Sequence, residues 1–367
     1  MTSMTTTRLL QSARRSRPRQ RGLTLVELMV ALAIGLVLLL AMSAVFVTSS
    51  TTRREIELSA DVLESGRYAL DVLNRELTQT GFYGPLHDAT VPGRHGAAPG
   101  TPTALTTNAG ANVCSTDAAV WAGSLPVHVV GLRSAALANV DGDPGCLAER
   151  KDGTDAIFIQ RVATCTAAEC GPEVATKRYL QVSECGDEYN DTANAKSFVV
   201  VPGLDGTVRQ NKLCAGGAAP RREVIRRIFY ITNNDALAYK DITPAGAGNP
   251  VILADNIEQL QIVYGLDGDA DNDGVVDSAV DGTADGFFAG PKAGATAAEI
   301  DAFWSNVVGA RVWLLARSTN TSANITQATS YVMDDTEVTT TAGTRGLKRR
   351  IYSSYISFVS PKARREQ

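Results

Sequence analysis

With 367 residues, 44% of them hydrophobic, the chain can bury a sizeable core in one or two domains. Its net charge of −4 is unevenly spread: residues 1–22 hold Arg8, Arg14, Arg15, Arg17, Arg19 and Arg21 with no acid, so the remainder carries −10. An acidic body argues against nucleic acid as the main partner of the folded domain.

The first element reads as a membrane segment. Twenty-one residues from Leu28 to Thr48 carry no charge, enough for about 30 Å of helix and one bilayer crossing. With arginines in front and only Arg53 and Arg54 close behind, the positive-inside rule places the N-terminus in the cytoplasm. A secretory signal has its small-residue cleavage site after the apolar core, whereas here Gly22 precedes it. Cleavage after Gly22 leaves the apolar stretch on the mature chain. Glu27 stands at the start of that stretch, where a charge costs roughly 2.5–3.5 kcal/mol at the bilayer centre, so it is read as functional.

The helical pattern continues through "EIELSADVLESGRYALDVLNRELTQTGFYG", where Leu58, Val62, Ala69, Leu70, Leu73 and Leu77 recur at three- and four-residue spacing. Gly81 and Pro85 close it. The expectation is one helix of almost sixty residues, apolar over residues 23–48 and amphipathic over 49–81. Short β-rich runs follow at "PVHVVG", "DAIFIQRV", "RYLQV", "SFVVV", "EVIRRIFYIT", "IEQLQIVYG", "VVGARVWLLAR" and "RRIYSSYISFVS". No convincing helix alternates with them. An α+β fold is therefore expected, with a mainly antiparallel sheet on the long helix and residues 82–367 as one β-rich extracytoplasmic domain. Residues 88–112 and 318–346 read as mobile surface connections.

Six cysteines, Cys114, Cys146, Cys165, Cys170, Cys185 and Cys214, fall in one stretch of about a hundred residues without a C-x-x-C pair. Behind a membrane segment they fit disulfides in an oxidising compartment, with fifteen possible pairings. His87, His95 and His128 are scattered, so neither zinc chemistry nor a catalytic histidine is indicated. No nucleotide, metalloprotease or serine-hydrolase motif occurs, and no enzyme is expected.

"DGDADNDGVVDSAVDGTADG", residues 267–286, holds seven aspartates and no base. Seven carboxylates so close repel one another unless a cation sits among them. Asp269, Asp271 and Asp273 fill positions 1, 3 and 5 of a calcium-loop spacing, and Gly274 fills the turn position. Val275 would offer a carbonyl, and Asp277 a direct or water-mediated ligand. Val280 replaces the usual bidentate glutamate, for which Asp281 can substitute. Calcium is the expected ion, on a strand-flanked loop and not a helix-loop-helix.

The run Gly22-Leu23-Thr24-Leu25-Val26-Glu27-Leu28 behind a basic leader resembles the type IV prepilin motif; Leu23 stands where the family usually has phenylalanine. "ESGRYALDVLNRELTQTGFYG", "ADNIEQLQIVYGLDGDADNDGVVD" and the closing "RRIYSSYISFVS" are similar to PilW-type minor pilins, whereas residues 85–220 match nothing recognisable. The resemblance implies the type IV pilin fold and cleavage between Gly22 and Leu23 by prepilin peptidase, with methylation of the new amino group. It also implies that Glu27 neutralises that ammonium on a neighbouring subunit. Other minor and major pilins and the inner-membrane assembly platform become the expected partners. The chain would sit in the bacterial inner membrane before assembly and in a surface pilus after it. A role in initiating or capping the filament, near its tip, is the leading expectation. A type II secretion pseudopilin, a pilus-borne adhesin or DNA-uptake component, and a single-span enzyme anchored by the same helix are the alternatives.

Overall fold

The computed structural model describes residues 22–86, 113–133, 146–191, 197–206, 208–322, 324–334, 336–340 and 343–365. The arginine leader, the 88–112 connection, His87 and His95 lie outside the described residues. Two compact units result, one ending at Ile56 and the other running from Glu57 onward.

Helix α1 spans Leu25–Thr78. The first unit holds its apolar portion, where side chains from Leu28 to Val47 stand exposed, Phe46 at 75%. Its few hydroxyls are satisfied within the helix. Ser43 donates to the Leu39 carbonyl at 2.8 Å and Thr48 to that of Ala44 at 2.9 Å, which suits a segment surrounded by hydrocarbon.

In the second unit α1 becomes amphipathic, burying Leu58, Val62, Gly66, Ala69, Leu73 and Leu77 on one stripe. Leu70 only borders the core, and Gly66 takes a core place that hydrophobic periodicity does not reveal. Regular helix stops at Thr78, and Gly81 (φ 74°) then donates its N–H to the Gln160 carbonyl.

The large sheet has the order β1 (Val129–Leu132), β2 (Ala156–Val162), β5 (Arg221–Ile231), β3 (Arg178–Val182), β4 (Phe198–Pro202). β6 (Ala236–Thr243) also pairs β5 and carries β7 (Gly246–Ala247) and β8 (Val251–Asp255). A second sheet runs β10 (Gly286–Phe288), β9 (Ile257–Leu266), β11 (Val307–Thr321), β14 (Leu347–Ser357). β12 (Ser330–Met333) and β13 (Thr336–Thr339) form a separate hairpin. Every pairing is antiparallel.

β2 is buried along its whole length, which accounts for the apolar run Ala156 to Ile159 in place of alternation, while the buried Gln160 and Arg161 are held by hydrogen bonds to Ser124 and Glu76. Glu76 of α1 reaches Arg161 of β2 and Arg227 of β5, both at 3.1 Å, and so ties the helix to the large sheet. Asp155 ties the two sheets: its N–H donates to the Leu260 carbonyl at 2.8 Å, and its carboxylate accepts the Ile262 N–H at 2.9 Å. Trp304 packs edge-on against Tyr264 of β9 and against its helix neighbour Phe303, at 4.9 Å each.

All eight expected strands are present, and the fold is α+β as anticipated. Two expectations are corrected. Helices do occur among the strands: α2 (Ala118–Gly123), α3 (Ala167–Cys170), α4 (Gly186–Tyr189), α5 (Ala297–Ser305) and α6 (Val359–Arg365). All are short, and α5 starts from a capping box in which Thr296 and Glu299 bond reciprocally. Residues 318–346 are not simply a mobile connection, since β11 continues to Thr321 and the β12–β13 hairpin fills much of the rest. The cysteines pair in chain order, Cys114–Cys146, Cys165–Cys170 and Cys185–Cys214, closing one of the fifteen alternatives.

Candidate functional site

Two places carry chemistry that the strands and core do not require. At the N-terminus, Gly22, Leu23 and Thr24 precede the helix in non-helical backbone. Thr24 caps the helix. Its Oγ1 accepts the Glu27 N–H at 3.2 Å, while Glu27 Oε2 accepts the Thr24 N–H at 3.1 Å and the Thr24 hydroxyl at 3.2 Å. This reciprocal capping box satisfies donors that a helix start otherwise leaves open. The signal was present in the sequence as T-x-x-E, and a reading of Glu27 only as a misplaced membrane charge passes over it. No partner contacts Oε1 of Glu27 among the described residues.

The second place is the aspartate loop between β9 and β10. Its carboxylates are not bare charges in mutual repulsion, as composition suggested. Buried Asp267 accepts the N–H groups of Asp281 (3.0 Å) and Gly282 (2.9 Å). Buried Asp269 accepts those of Asp273 (3.2 Å) and Gly274 (2.9 Å). Asp273, Asp277, Asp281 and Asp285 likewise accept from Val275, Ala270, Thr283 and Gly268. Gly274 turns the chain at φ 84° and Asn272 at φ 60°, which brings these amides inward. A base also arrives from outside the segment: Lys292 Nζ lies 2.5 Å from Asp273 Oδ2. That hydrogen bond holds the Asp273 carboxyl below its ordinary pKa and raises that of Lys292.

Within this frame one carboxylate oxygen each from Asp269, Asp271 and Asp273 converges, all within 4.8 Å of one another. Asp269 is buried, Asp273 half-buried and Asp271 exposed. Asp277 and Asp281 do not join that group. Asp277 is turned to the Ala270 amide, and Asp281 is held by the amide and hydroxyl of Thr283. Val275 is placed by its N–H on Asp273. Three hard oxygen donors on a preformed loop suit calcium better than a soft metal. His128 is buried, with Nε2 2.8 Å from the Val307 carbonyl, and takes part in neither place.

Two family models match the chain, the prokaryotic N-terminal methylation motif over residues 17–43 and type IV pilus-assembly protein W over residues 228–360. A methylation motif heading a long apolar helix, together with an amphipathic continuation packed on antiparallel sheets, is consistent with the type IV pilin class. Neither model reaches residues 64–84 or the cysteine-bearing segment, whereas the second takes in β6 to β14 and the aspartate loop. The two matches support a pilin of the PilW type, a minor-pilin or assembly component of the type IV pilus. Anchored in the inner membrane by its N-terminal helix, it assembles into a surface pilus. No match was found among curated proteins or solved structures.

Proposed function

We propose that this structural pilus component acts in initiating or capping the filament after cleavage between Gly22 and Leu23. The observation that carries the reading is the N-terminal arrangement: a glycine in open backbone, then a capped apolar helix with one glutamate oxygen uncommitted. Cleavage converts the Leu23 amide into an ammonium, and Glu27 Oε1 offers a neighbouring subunit's ammonium a counter-charge. In low dielectric such a pair is strong, and either charge alone is costly. The reading brings in prepilin peptidase to cut and methylate, the inner-membrane assembly platform, and other minor and major pilins as neighbours.

Calcium belongs to the same proposal. Asp269, Asp271 and Asp273 would hold the ion, with Val275, Asp277 and Asp281 as further oxygen sources if their present hydrogen bonds exchange. The ion would supply charge compensation and rigidity. Lys292 already supplies part of that compensation at Asp273, which points to a weak site, on the order of 10⁻⁴–10⁻³ M as in extracellular modules. The deciding experiment is the mature N-terminus, read by mass spectrometry of membrane and sheared-pilus fractions. An N-methylated Leu23 is expected, and a mature chain that retains Arg21 overturns the reading.

A further inference from the structure

The solvent side of the four-stranded sheet carries an aromatic and cationic platform that neither the N-terminal helix nor the aspartate loop uses. Arg311 and Tyr355 are register partners on β11 and β14, and Phe287 of β10 lies opposite Gly265, itself paired with Gly309. The Arg311 guanidinium stands 4.4 Å over the Phe287 ring and 5.9 Å from that of Trp313. Phe287 and Tyr355 meet edge to face at 5.6 Å. Both rings are well exposed, 38% and 46%, and Arg311 is exposed between them.

The rings are seated, not loose. A Cβ on Gly309 would fall 2.4 Å from the Tyr355 hydroxyl oxygen and 2.8 Å from its Cζ, and a Cβ on Gly265 would fall 3.3 Å from the Phe287 ring. The bare backbone of two cross-strand glycines thus forms the floor on which both rings lie. Arg311 makes no ion pair or hydrogen bond among the described residues, in a chain with more acids than bases and beside a loop of seven aspartates. Arginine stacked on preorganised aromatic rings has the composition of an interface hot spot.

We propose that this platform docks another subunit of the same filament, through a segment that presents one carboxylate flanked by apolar side chains. Charge selects that occupant. The exposed guanidinium has no counter-ion among the described residues, while the −10 body and the adjoining aspartate loop repel polyanions such as nucleic acid. One carboxylate carried on an apolar surface satisfies Arg311 at far less repulsion than a polyanion meets, and Phe287 and Tyr355 cover its flanks. The inference rests on the pilin reading.

The test uses the full-length chain in cells that assemble pili, with Ser353→benzoylphenylalanine as photocrosslinker. Ser353 is exposed on the same face and pairs with Trp313. The expected adduct is a peptide of another pilin that contains Asp or Glu. Arg311→Glu should lower its yield at least about tenfold, the scale of a lost hot-spot residue. Replacing the crosslinked acid by Arg should restore the yield. Arg311→Gln serves as the second variant should the charge reversal not fold, judged by intact disulfides and melting temperature. No adduct, an adduct indifferent to Arg311, or an adduct to nucleic acid or lipid overturns the proposal. The mature N-terminus is read in the same cells. If Leu23 is not exposed, the pilin reading fails; if it is and the adduct is absent, only the docking surface fails.

Discussion

Gly66→Ala isolates how the long helix is locked to the globular domain. On an open helix the change is favourable, since mid-helix glycine costs about 0.8–1 kcal/mol relative to alanine. Here the new Cβ would lie 2.1 Å from Cε2 of Tyr352, 2.5 Å from Cδ2 and 2.7 Å from Cζ. Ordinary contact begins near 3.4 Å, so the ring must shift by more than an ångström. The ring is held by its hydroxyl, which donates to the Val62 carbonyl at 3.1 Å one turn earlier in the helix. Overpacking of this kind costs about 1–3 kcal/mol, and loss of the hydrogen bond roughly 0.5–1.5 kcal/mol more. After subtracting the helical gain, a net destabilisation of about 0.5–3.7 kcal/mol is expected. At roughly 2–4 °C per kcal/mol for a domain of 150–250 residues, and less for a larger one, melting should fall by a few degrees. The assay is thermal unfolding of a soluble fragment that begins at Arg53 and retains the whole second unit. In a Tyr352→Ala background the same Gly66→Ala change should turn stabilising, because the obstacle is gone. A Gly66→Ala variant that melts higher with Tyr352 in place would refute the reasoning.

Two further predictions concern the N-terminus and the loop. Glu27→Ala should leave insertion and cleavage intact, since the segment becomes more apolar, yet deplete the protein from purified pili; wild-type amounts there would contradict the pairing role. Calcium at a hundred times its Kd should stabilise the soluble fragment by about 2.7 kcal/mol, with magnesium doing much less. An Asp271→Ala, Asp273→Ala variant should lose that response and keep its disulfides, and equal melting of both proteins with calcium and with chelator would exclude the ion.

Strong apolar runs announced themselves, and weak or charged ones did not. β2 and β11 are buried along most of their length, and their apolar residues (AIFI in β2, VWLLA in β11) made them visible despite the arginines they carry. β6 escaped because "ALAYKDIT" interrupts its pattern with Lys240, whose burial is compensated by Glu149 at 2.7 Å and the Cys146 carbonyl at 3.3 Å, both far off in the chain. β10 has three residues, too few for periodicity, and the β12–β13 hairpin is threonine-rich. α5 hid in an alanine- and glycine-rich stretch, although its Thr296-x-x-Glu299 box was written there. At the candidate sites, the D-x-D-x-D-G spacing and the Gly22-Leu23 step are local and legible. The backbone amides that compensate the aspartates, and Lys292 arriving from nineteen residues beyond Asp273, depend on the folded loop. Gly66 was visible as a letter, but its reason, Tyr352 from the C-terminal strand, lies 286 positions away.

The capping box at Thr24 and Glu27 bears on the interval between insertion and assembly. A subunit waiting in the bilayer does not expose a naked carboxylate to hydrocarbon, because one oxygen is already occupied by two donors from its own first turn. The capping lowers the cost of the carboxylate to the lone chain, and on the proposed pairing the second oxygen is the one offered to a neighbour. The same hydrogen bonds fix the rotamer of Glu27, so an ammonium arriving as proposed would meet an aimed acceptor and not a swinging side chain. On the proposed pairing, a subunit in the membrane is capped within its own first turn and still one bond short of its neighbour.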